Sequence, residues 1–331
     1  MMYYIESADT DPYYNLALEQ VVFDRLDRRH SYCMLWQNKN AIIIGRHQNT
    51  AAEINASFAR ERDITVARRL SGGGAVYHDL GNLNFTFITS AGAQKGIDFA
   101  HFCKPIGEAL GALGVPAVLS GRNDMTVEGK KFSGNAQYIK EGRIMHHGTI
   151  LYDSDLSILS QALAVSLDKI QSKGIRSVQS RVTNIRPYMK VDMPVADFWA
   201  ALKTAMLNAF VMEELDLSAE DRAAVEALRD RRYAQWSWNY GASPAYTLRK
   251  LRRIEGCGTI EVLLDLDQGG IIKNLFFYGD FFGTGDPQEL GRALAGRPLE
   301  YRALSEALKA IDVSCYFHAI TRDDFLLLLL E

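Results

Sequence analysis

Three consecutive glycines, Gly72, Gly73 and Gly74, constrain this chain more than any other stretch of its sequence. They follow an apolar, strand-like segment that ends on Arg68 and Arg69, and a β-prone segment resumes after them. A turn without Cβ atoms lets backbone N–H groups approach a ligand that side chains would otherwise hold away. The two arginines suggest that this ligand is anionic, whereas the alternative is a flexible hairpin with two solvated arginines.

The composition excludes several classes of protein. The chain has 331 residues, of which 47% are hydrophobic and 23% are charged, and its net charge is -3, which is typical of an ordinary globular protein. This balance gives no indication of a nucleic-acid partner. The N-terminus lacks a basic segment followed by an apolar run, and no stretch of about 18 apolar residues occurs. We therefore expect no membrane span and no export.

The cysteines indicate a reducing compartment. Cys33, Cys103, Cys257 and Cys315 lie far apart without a C-x-x-C pair, which fits neither a zinc site nor a disulfide framework. We expect four buried thiols in the cytoplasm. No cysteine occurs between Cys103 and Cys257, so a thiol nucleophile is not expected near the polar, glycine-rich stretches described below.

Hydrophobic periodicity predicts an α+β protein. Asp11 and Pro12 form an N-cap followed by proline at the first helical position, and a helix should extend to about Arg28. Its apolar positions recur at roughly helical spacing, which leaves Glu19 available for the solvent-exposed face. Residues 82–88 alternate apolar and polar side chains and predict a strand that is buried on one face only.

Turn residues divide the middle of the chain and mark its domain boundary. The pairs Glu128-Gly129 and Glu141-Gly142 predict hairpins between short antiparallel strands. Residues 241–244, Gly-Ala-Ser-Pro, interrupt the pattern near the end of the chain. We therefore predict a large domain over residues 1–243 and a small α+β module over residues 244–331.

Candidate site residues lie in the polar stretch of residues 121–149. Lys131 lies between two glycines, where a lysine is not needed for packing, although a surface lysine is the simpler interpretation. His146 and His147 are neighbours on a predicted strand, so they point to opposite faces and do not chelate one metal together. Asp124 is a candidate ligand for Mg²⁺ or part of a turn.

The glycine turn matches neither of the two commonest nucleotide-binding motifs. Gly72, Gly73 and Gly74 are not followed by the Lys-Ser/Thr pair of a P-loop. Position 77, where a dinucleotide motif beginning at Gly72 needs glycine, is occupied by Tyr77. A phosphate-binding turn of another type remains open.

Five motifs together resemble the lipoate-protein ligase family. They are RRLSGGGAVYHD at residues 68–79, KFSG at 131–134, HGT at 147–149, NLALE at 15–19 and YGDFFG at 278–283. The resemblance covers essentially the whole chain. It implies a large mixed-sheet domain of the biotin/lipoate-ligase fold, similar to class II aminoacyl-tRNA synthetase cores, and a small C-terminal accessory domain.

The same resemblance implies an activity and its partners. Members of the family activate lipoate with ATP to lipoyl-AMP, release pyrophosphate, and transfer the lipoyl group to a lysine of an acceptor domain. The expected acceptors are the E2 subunits of 2-oxoacid dehydrogenases and the H protein of glycine cleavage, and Mg²⁺ is the expected metal. No nucleic acid and no membrane are expected as partners.

The family motifs also imply roles for individual residues. Lys131 is the expected catalytic residue, in contact with both substrates, because a fixed cation offsets the repulsion between a carboxylate and the α-phosphate. The resemblance assigns the nucleotide to Arg69, Gly74, Ala75, Val76, Tyr77 and Lys131. It assigns lipoate to Ser71, Gly73, His78, Lys131 and His147, and Mg²⁺ to Asp124. Residues 135–138, Asn-Ala-Gln-Tyr, depart from the family pattern and leave the acyl preference open.

Two alternatives remain at this stage. An acyltransferase of the same fold takes an octanoyl or lipoyl group from an acyl carrier without ATP, but its cysteine-dependent form lacks a nucleophile here and the accessory domain favours the ligase. A non-catalytic binder of lipoate or nucleotide releases no pyrophosphate. The sequence does not identify the acceptor domain or the oligomeric state.

Overall fold

The computed structural model describes residues 1–92, 97–121, 123–163, 182–240 and 248–330. Contacts divide the chain into two compact units. The larger unit comprises Met1–Ile44, Thr50–Arg69 and Ala75–Asn239, and the smaller unit comprises Gly45–Asn49, Leu70–Gly74 and Tyr240–Glu331. The predicted boundary at residues 241–244 lies outside the described residues. The glycine turn therefore belongs to the smaller unit, although it lies early in the sequence.

The larger unit contains two sheets among its described residues. Its strands are β1 (Met2–Glu6), β2 (Ser31–Trp36), β3 (Ala41–Ile44), β4 (Thr65–Arg68), β5 (Val76–His78), β6 (Asn82–Ser90), β7 (Val118–Ser120), β8 (Asp124–Val127), β9 (Lys130–Lys140), β10 (Arg143–Leu151) and β11 (Met212–Glu214). Eight of them form a mixed sheet in the order β11-β1-β2-β6-β10-β9-β8-β7, and the other three form a sheet in the order β4-β3-β5. Strand β1 runs parallel to both of its neighbours.

The described part of the larger unit contains eight α-helices. They are α1 (Pro12–Arg25), α2 (Thr50–Glu53), α3 (Ala56–Glu61), α4 (Phe99–Ala112), α5 (Leu156–Ala162), α6 (Val195–Phe210), α7 (Ala219–Leu228) and α8 (Trp236–Asn239). The Asp11 carboxylate accepts a hydrogen bond from the Tyr13 N–H, and Pro12 is the first helical residue, as predicted.

Strand β6 corrects the prediction of a half-buried strand. Asn84 and Thr86, expected on a wet face, are 1% and 0% exposed. The reason is that β6 lies inside the eight-stranded sheet with a helix on each side: Glu19 of α1 bonds to Thr86 on one face, and Phe102 of α4 packs on Phe87 on the other. The expectation that Glu19 faces solvent was also wrong, because its side chain points into the protein.

Both predicted hairpin turns are confirmed. Glu128 and Gly129 have φ values of 49° and 76°, and Glu141 and Gly142 have values of 50° and 71°. Two successive residues in the left-handed region are typical of the tight turns that join antiparallel strands. These turns connect β8 to β9 and β9 to β10, and thereby fix the register of the strands that carry the candidate site.

The smaller unit contains a three-stranded sheet and helices in its described C-terminal part. They are β12 (Leu248–Ile254), β13 (Gly258–Leu266), β14 (Ile272–Gly279), α9 (Pro287–Leu294), α10 (Tyr301–Ala307) and α11 (Arg322–Leu330). Strands β13 and β14 form an antiparallel hairpin. Phe277, Phe317 and Phe325 pack against one another in a separate hydrophobic core. Within the described ranges, no helix is long and apolar enough to cross a membrane.

Three of the four cysteines are buried as predicted. Burial raises the pKa of the Cys103 thiol to about 12, which keeps it protonated and unreactive at neutral pH. Cys315 is exposed, so the prediction of four buried thiols was wrong at this position. It follows Val313 and Ser314 in a short 3₁₀ helix on the surface of the smaller unit, where its side chain is not needed to fill a core.

Candidate active site

A buried carboxylate organises the polar interior of the larger unit. Glu19 of α1 is 1% exposed. Its carboxylate accepts a hydrogen bond from the Thr86 hydroxyl and lies 2.9 Å from Nδ1 of His147. The indole N–H of Trp36 donates to the Thr86 oxygen over 2.9 Å. A charge in such a place needs partners, and these side chains provide them from α1, β2, β6 and β10.

The two arginines before the glycine turn have different surroundings. The Arg68 guanidinium donates to the hydroxyl of Thr50 and to the backbone oxygens of Trp238 and Asn239. The Asn239 side chain accepts from the Arg68 N–H in return. Arg68 therefore fastens helix α8 to strand β4, which is a structural task.

Arg69 instead lies near Glu19. Together with His78 and His147 these two residues form what we call the buried cluster. The Nη1 of Arg69 donates to the carbonyl of Ile43, and its side chain is buried. Burial lowers the pKa of Arg69 to about 10, and the negative charge of Glu19 opposes this effect. The guanidinium is nevertheless charged at neutral pH and places a fixed positive charge beside Glu19.

His78 is a neutral histidine of the same cluster. Its Nδ1 lies 3.1 Å from the side-chain nitrogen of Asn38, and its ring lies edge-on to Trp36. Burial, reinforced by the charges of Arg69 and His147, lowers the pKa of His78 to about 3. Among the described residues, its Nε2 has no hydrogen-bond partner.

The adjacent histidines of β10 point to opposite faces, as predicted. His147 faces Glu19. His146 faces α4, where its ring stacks on Phe102 and its two nitrogens contact Gln137 and Asn135. Burial lowers the pKa of His146 well below its ordinary value, so it stays neutral. The fully bonded His146 is part of the core, and only His147 belongs to the cluster.

Lys131 lies on the same face of the sheet as His147. His147 pairs with Ala136, so Gly134, two residues earlier on β9, shares that face. A Cβ built on Gly134 would lie 3.1 Å from Nζ of Lys131, which shows that the lysine chain extends over this glycine. Its Nζ contacts Oδ1 of Asp124 at 2.7 Å, and the Lys131 side chain is 38% exposed.

The geometry of Lys131 accounts for its flanking glycines. Lys131 lies within β9. The flanking glycines have separate reasons: Gly129 occupies the left-handed turn, and Gly134 leaves room for the lysine chain. Asp124, predicted as a turn residue or a metal ligand, begins β8 and pairs with Lys131.

Contacts with the Phe281 backbone, within the smaller unit, hold the glycine turn in place. A Cβ on Gly72 would overlap the carbonyl oxygen of Phe281, and the Gly73 N–H donates to that same oxygen over 3.2 Å. Gly73 has a φ of 89°, in the region that favours glycine, whereas a Cβ on Gly74 would meet nothing within 4 Å. Gly72 and Gly73 are therefore needed for two different reasons, the close approach of the Phe281 backbone and the left-handed backbone conformation.

The structure thus distributes the predicted site residues over the two units. In the larger unit it brings Arg69, His78 and His147 together around Glu19, and it pairs Lys131 with Asp124 on the same sheet face as His147. Ala75 precedes β5, while Val76 and Tyr77 lie in it, with the Tyr77 hydroxyl donating to Asn40. Ser71, Gly73 and Gly74 belong to the smaller unit.

Sequence reasoning did not identify three buried polar residues in or beside the cluster as parts of the site. They are Glu19, Asn15 and Asn38. Asn15 and Glu19 are four residues apart on α1 and so share one helix face, which is a signal that the sequence did contain. The periodicity of α1 did not reveal this signal, because packing buries part of the polar face of the helix as well as its apolar face.

Comparison with known proteins identifies the family of this site. A family model described as the lipoyl protein ligase A/B catalytic domain matches residues 11–207, and a model of the bacterial lipoate protein ligase C-terminus matches residues 243–329. The chain belongs to the lipoate-protein ligase family. It is 42% identical over 319 residues to the lipoate-protein ligase LplJ of Bacillus subtilis, an alignment that covers 96% of each chain.

Solved structures confirm the predicted lipoate-ligase fold. P. falciparum LipL1, solved in complex with lipoate, is 22% identical and superposes with a TM-score of 0.78 over 100% of this chain and 98% of that one. A bi-partite lipoate protein ligase of Thermoplasma acidophilum, solved in a study that includes its E2 lipoyl domain, is 24% identical with a TM-score of 0.64. That similarity covers 74% of this chain and 98% of the archaeal one. The chain is thus a lipoate-protein ligase, as its motifs predicted.

Proposed function

We propose that Lys131 and the buried cluster of Arg69, His78 and His147 carry the two half-reactions of this ligase. In the first, a carboxylate oxygen of lipoate attacks the α-phosphorus of ATP, the bond to pyrophosphate breaks, and lipoyl-AMP forms. In the second, the amine of an acceptor lysine attacks the lipoyl carbonyl carbon, the bond to AMP breaks, and the nitrogen loses a proton. The observation that carries the proposal is the Lys131 ammonium, held over Gly134 on the same sheet face as His147.

Lys131 offsets the repulsion of the first half-reaction. Two anions must approach each other, and a cation fixed in advance lowers the cost of that approach. Oδ1 of Asp124 lies 2.7 Å from the ammonium nitrogen of Lys131. This contact is partly solvated, so its exchange for a phosphate or carbonyl oxygen costs little. Lys131 therefore serves as the catalytic residue that contacts both substrates.

The remaining assignments follow the family motif and agree with the local charges. Arg69, Lys131 and the backbone of residues 74–77 bind the nucleotide. Ser71, Gly73, His78, Lys131 and His147 bind lipoate. The buried positive charge of Arg69 and the neutral His78 favour an anionic ligand beside them.

Magnesium fits this site as an ion that ATP brings. The described part of the chain contains no group of three or more His, Cys, Asp or Glu side chains able to hold a metal. Mg²⁺ needs only one or two carboxylates when phosphate oxygens and waters supply the rest. Asp124 is the carboxylate for this purpose, and the ion would neutralise charge on the phosphates.

The acceptor is a lysine of a lipoyl domain. The archaeal ligase of the same fold was studied with its E2 lipoyl domain, which supports this class of partner. We infer that E2 subunits of 2-oxoacid dehydrogenases and the H protein of glycine cleavage are modified, and that the reaction takes place in the cytoplasm. No nucleic acid and no membrane enters this scheme.

The competing activity is transfer of an acyl group from a carrier without ATP. The catalytic family model includes both ligase A and ligase B types, so it does not distinguish the two activities. The match of residues 243–329 to a lipoate protein ligase C-terminus supports the ATP-dependent reaction. The sequence has no cysteine between Cys103 and Cys257 to act as a transferase nucleophile.

One experiment tests the proposed function. The purified chain is incubated with lipoate and a lipoyl domain, with and without MgATP, and the intact mass of the domain is measured together with pyrophosphate release. We expect the mass of one lipoyl group to be added only when ATP is present, with one pyrophosphate per transfer. Acylation from an octanoyl carrier without ATP would instead establish the transferase.

A further inference from the structure

A buried chain of hydrogen bonds ends on His78 and begins at Asn15 of α1. The Asn15 side-chain nitrogen lies 2.9 Å from the carbonyl oxygen of Asp9 and 2.8 Å from that of Gln37. Carbonyl oxygens only accept hydrogen bonds, so the amide nitrogen must face them. The Asn15 oxygen accordingly faces Ser7, whose hydroxyl donates to it over 2.6 Å. Two backbone groups thus fix the orientation of this amide.

Asn15 in turn orients Asn38. The Asn15 nitrogen lies 3.0 Å from the side-chain oxygen of Asn38, and reversing the Asn38 amide would place two NH₂ groups against each other. Both side chains are 0% exposed, so water does not relieve such a contact. The Asn38 nitrogen must therefore face His78, where it lies 3.1 Å from Nδ1.

The orientation of Asn38 determines where His78 carries its proton. An NH₂ group that donates to Nδ1 needs a lone pair on that atom, so the proton of the neutral ring is on Nε2. A doubly protonated ring would set an N–H against the Asn38 amide. His147 is the opposite case, because its Nδ1 lies 2.9 Å from the Glu19 carboxylate, which only accepts hydrogen bonds, so Nδ1–H is the donor.

The series of hydrogen bonds that starts at Asn15 ends at the Nε2–H of His78. His78 is 3% exposed, and within the described residues its Nε2 has no partner. Buried donors are seldom left unpaired in native proteins, so the partner is expected to be a bound group. The guanidinium of Arg69 and the ring of His147 supply the charges that act on His78. An acceptor beside a fixed positive charge is most stable when it is an anionic oxygen.

We propose that Asn15 and Asn38 are positioning residues that hold His78 as an Nε2–H donor to an oxyanion of the substrate. The proposal rests on the proposed function, because it requires lipoate or nucleotide to bind at the cluster. The shared ligand chemistry is an anionic oxygen, from the lipoate carboxylate or from a nucleotide phosphate. A donor fixed in advance needs no reorganisation when charge develops on that oxygen.

The first experiment reads the tautomer in the full chain. The protein is labelled with ¹⁵N-histidine, and two-bond ¹H–¹⁵N spectra are recorded, with His78 assigned by comparison with His78→Gln. We expect the Nε2–H pattern for His78 between pH 6 and 8. His146 is the matched control, since its Nδ1 also faces an amide nitrogen while its Nε2 is already bonded to Asn135. An Nδ1–H pattern for His78 would overturn the proposal.

Ligand additions then identify the source of the oxyanion. Lipoate alone, octanoate alone and ATP alone are added in separate samples. A shift of the His78 Nε2 signal with lipoate and octanoate assigns the carboxylate, a shift with ATP assigns the phosphate, and His146 should not move in either case. If the His78 Nε2 signal does not shift in any of the three samples, while the protein releases pyrophosphate normally, this inference is overturned but the proposed function is not. Absence of pyrophosphate release and of acceptor acylation in the wild type counts against the proposed function instead.

Variants separate positioning from a structural role. Asn38→Asp keeps an oxygen for Asn15 but presents a second oxygen to His78, so the His78 proton should move to Nδ1 and adenylate formation should fall by roughly 10²-fold. A purely structural Asn38 predicts a lower melting temperature with an unchanged tautomer. His78→Gln retains an N–H donor and should keep more activity than His78→Phe. A shifted tautomer with wild-type turnover in Asn38→Asp would contradict the proposal.

Discussion

Gly134 provides the space that the Lys131 ammonium occupies. A Cβ built on Gly134 would lie 3.1 Å from Nζ and 3.3 Å from Cε of Lys131, closer than nearly all Cβ contacts in proteins. The same glycine donates its backbone N–H to the hydroxyl of Thr149 over 3.1 Å. Its place in the sheet is therefore fixed by the backbone, and any added atom must displace the lysine.

The first prediction follows from this contact. Gly134→Ala should displace the Lys131 ammonium by a few tenths of an ångström and lower the rate of pyrophosphate release by roughly 10-fold, because catalytic groups tolerate little misplacement. The melting temperature should change little. Gly111→Ala in helix α4 is the control, because a Cβ there meets nothing within 4 Å. Equal rates for the two variants would contradict the prediction.

Removal of the lysine itself should have a larger effect. Lys131→Ala should lower adenylate formation by a factor of about 10² or more, because the fixed positive charge is lost. The side chain is 38% exposed, and its ion pair among the described residues is with Asp124, so folding should be nearly intact. Lys130→Ala, at the exposed neighbouring position, is the matched control. A folded Lys131→Ala protein with wild-type pyrophosphate release would refute the assignment.

The glycine turn offers a test of steric access. Gly73→Val forces a β-branched residue to a φ of 89°, which costs about 1–3 kcal/mol, and it places a side chain where ATP should approach. We expect nucleotide binding to be lost in calorimetry. Gly74→Ala should leave the melting curve unchanged, since its Cβ meets nothing within 4 Å. Unaltered ATP affinity in a folded Gly73→Val variant would favour the flexible-hairpin interpretation.

Two neutral buried histidines predict a pH dependence of stability. The pKa of His78 is lowered to about 3, and that of His146 is lowered well below its ordinary value of 6.5. Below pH 6.5 the unfolded chain binds these two protons and the folded protein does not, so stability falls as pH decreases and is unaffected by these groups above that pH.

The size of this effect is measurable. Near pH 5 each of these histidines should make the free energy of unfolding fall more steeply as pH decreases. His146→Gln should remove one such contribution, which urea unfolding at several pH values would detect. The wild type and the variant should have the same slope above pH 7.5. Equal slopes for the two proteins near pH 5 would contradict the neutral state of His146.

Shortening the chain should separate the two half-reactions. A chain that ends at Tyr240 lacks Phe281, whose carbonyl oxygen accepts a hydrogen bond from the Gly73 N–H. The glycine turn therefore loses this support. We expect poor formation of lipoyl-AMP from ATP but retained transfer from lipoyl-AMP made beforehand, because transfer starts from an activated anhydride. Folding is checked first by the near-ultraviolet signal of Trp238, which bonds to Arg68. Equal loss of both steps would refute this division.

The sequence predicted local structure well where local chemistry determines it. The Asp11 cap, the two Glu-Gly turns and the opposite faces of His146 and His147 depend on neighbouring residues, and all agree with the structure. Motifs also predicted the family. These features need no information about what packs on a strand or helix from elsewhere in the chain.

The sequence was insufficient where burial depends on distant elements. The polar side chains of β6 and Glu19 of α1 resemble solvent-exposed residues by periodicity, but they face each other between sheet and helix. The pairing of Lys131 with Asp124 depends on the register of β8 and β9 and on the irregularity after Met125. Roles for these residues follow only from that long-range register.

The contact between Gly72 and Phe281 has a consequence for how this protein is recombined. A side chain at position 72 would overlap the Phe281 carbonyl oxygen, so the turn and the later segment are shaped to each other although about 200 positions separate them. Hybrids between relatives are commonly joined at a boundary between domains. In a hybrid joined near residue 244, the turn around Gly72 and the segment around Phe281 would come from different parents. The turn at residues 70–74 should therefore be exchanged together with the C-terminal segment, as a single module.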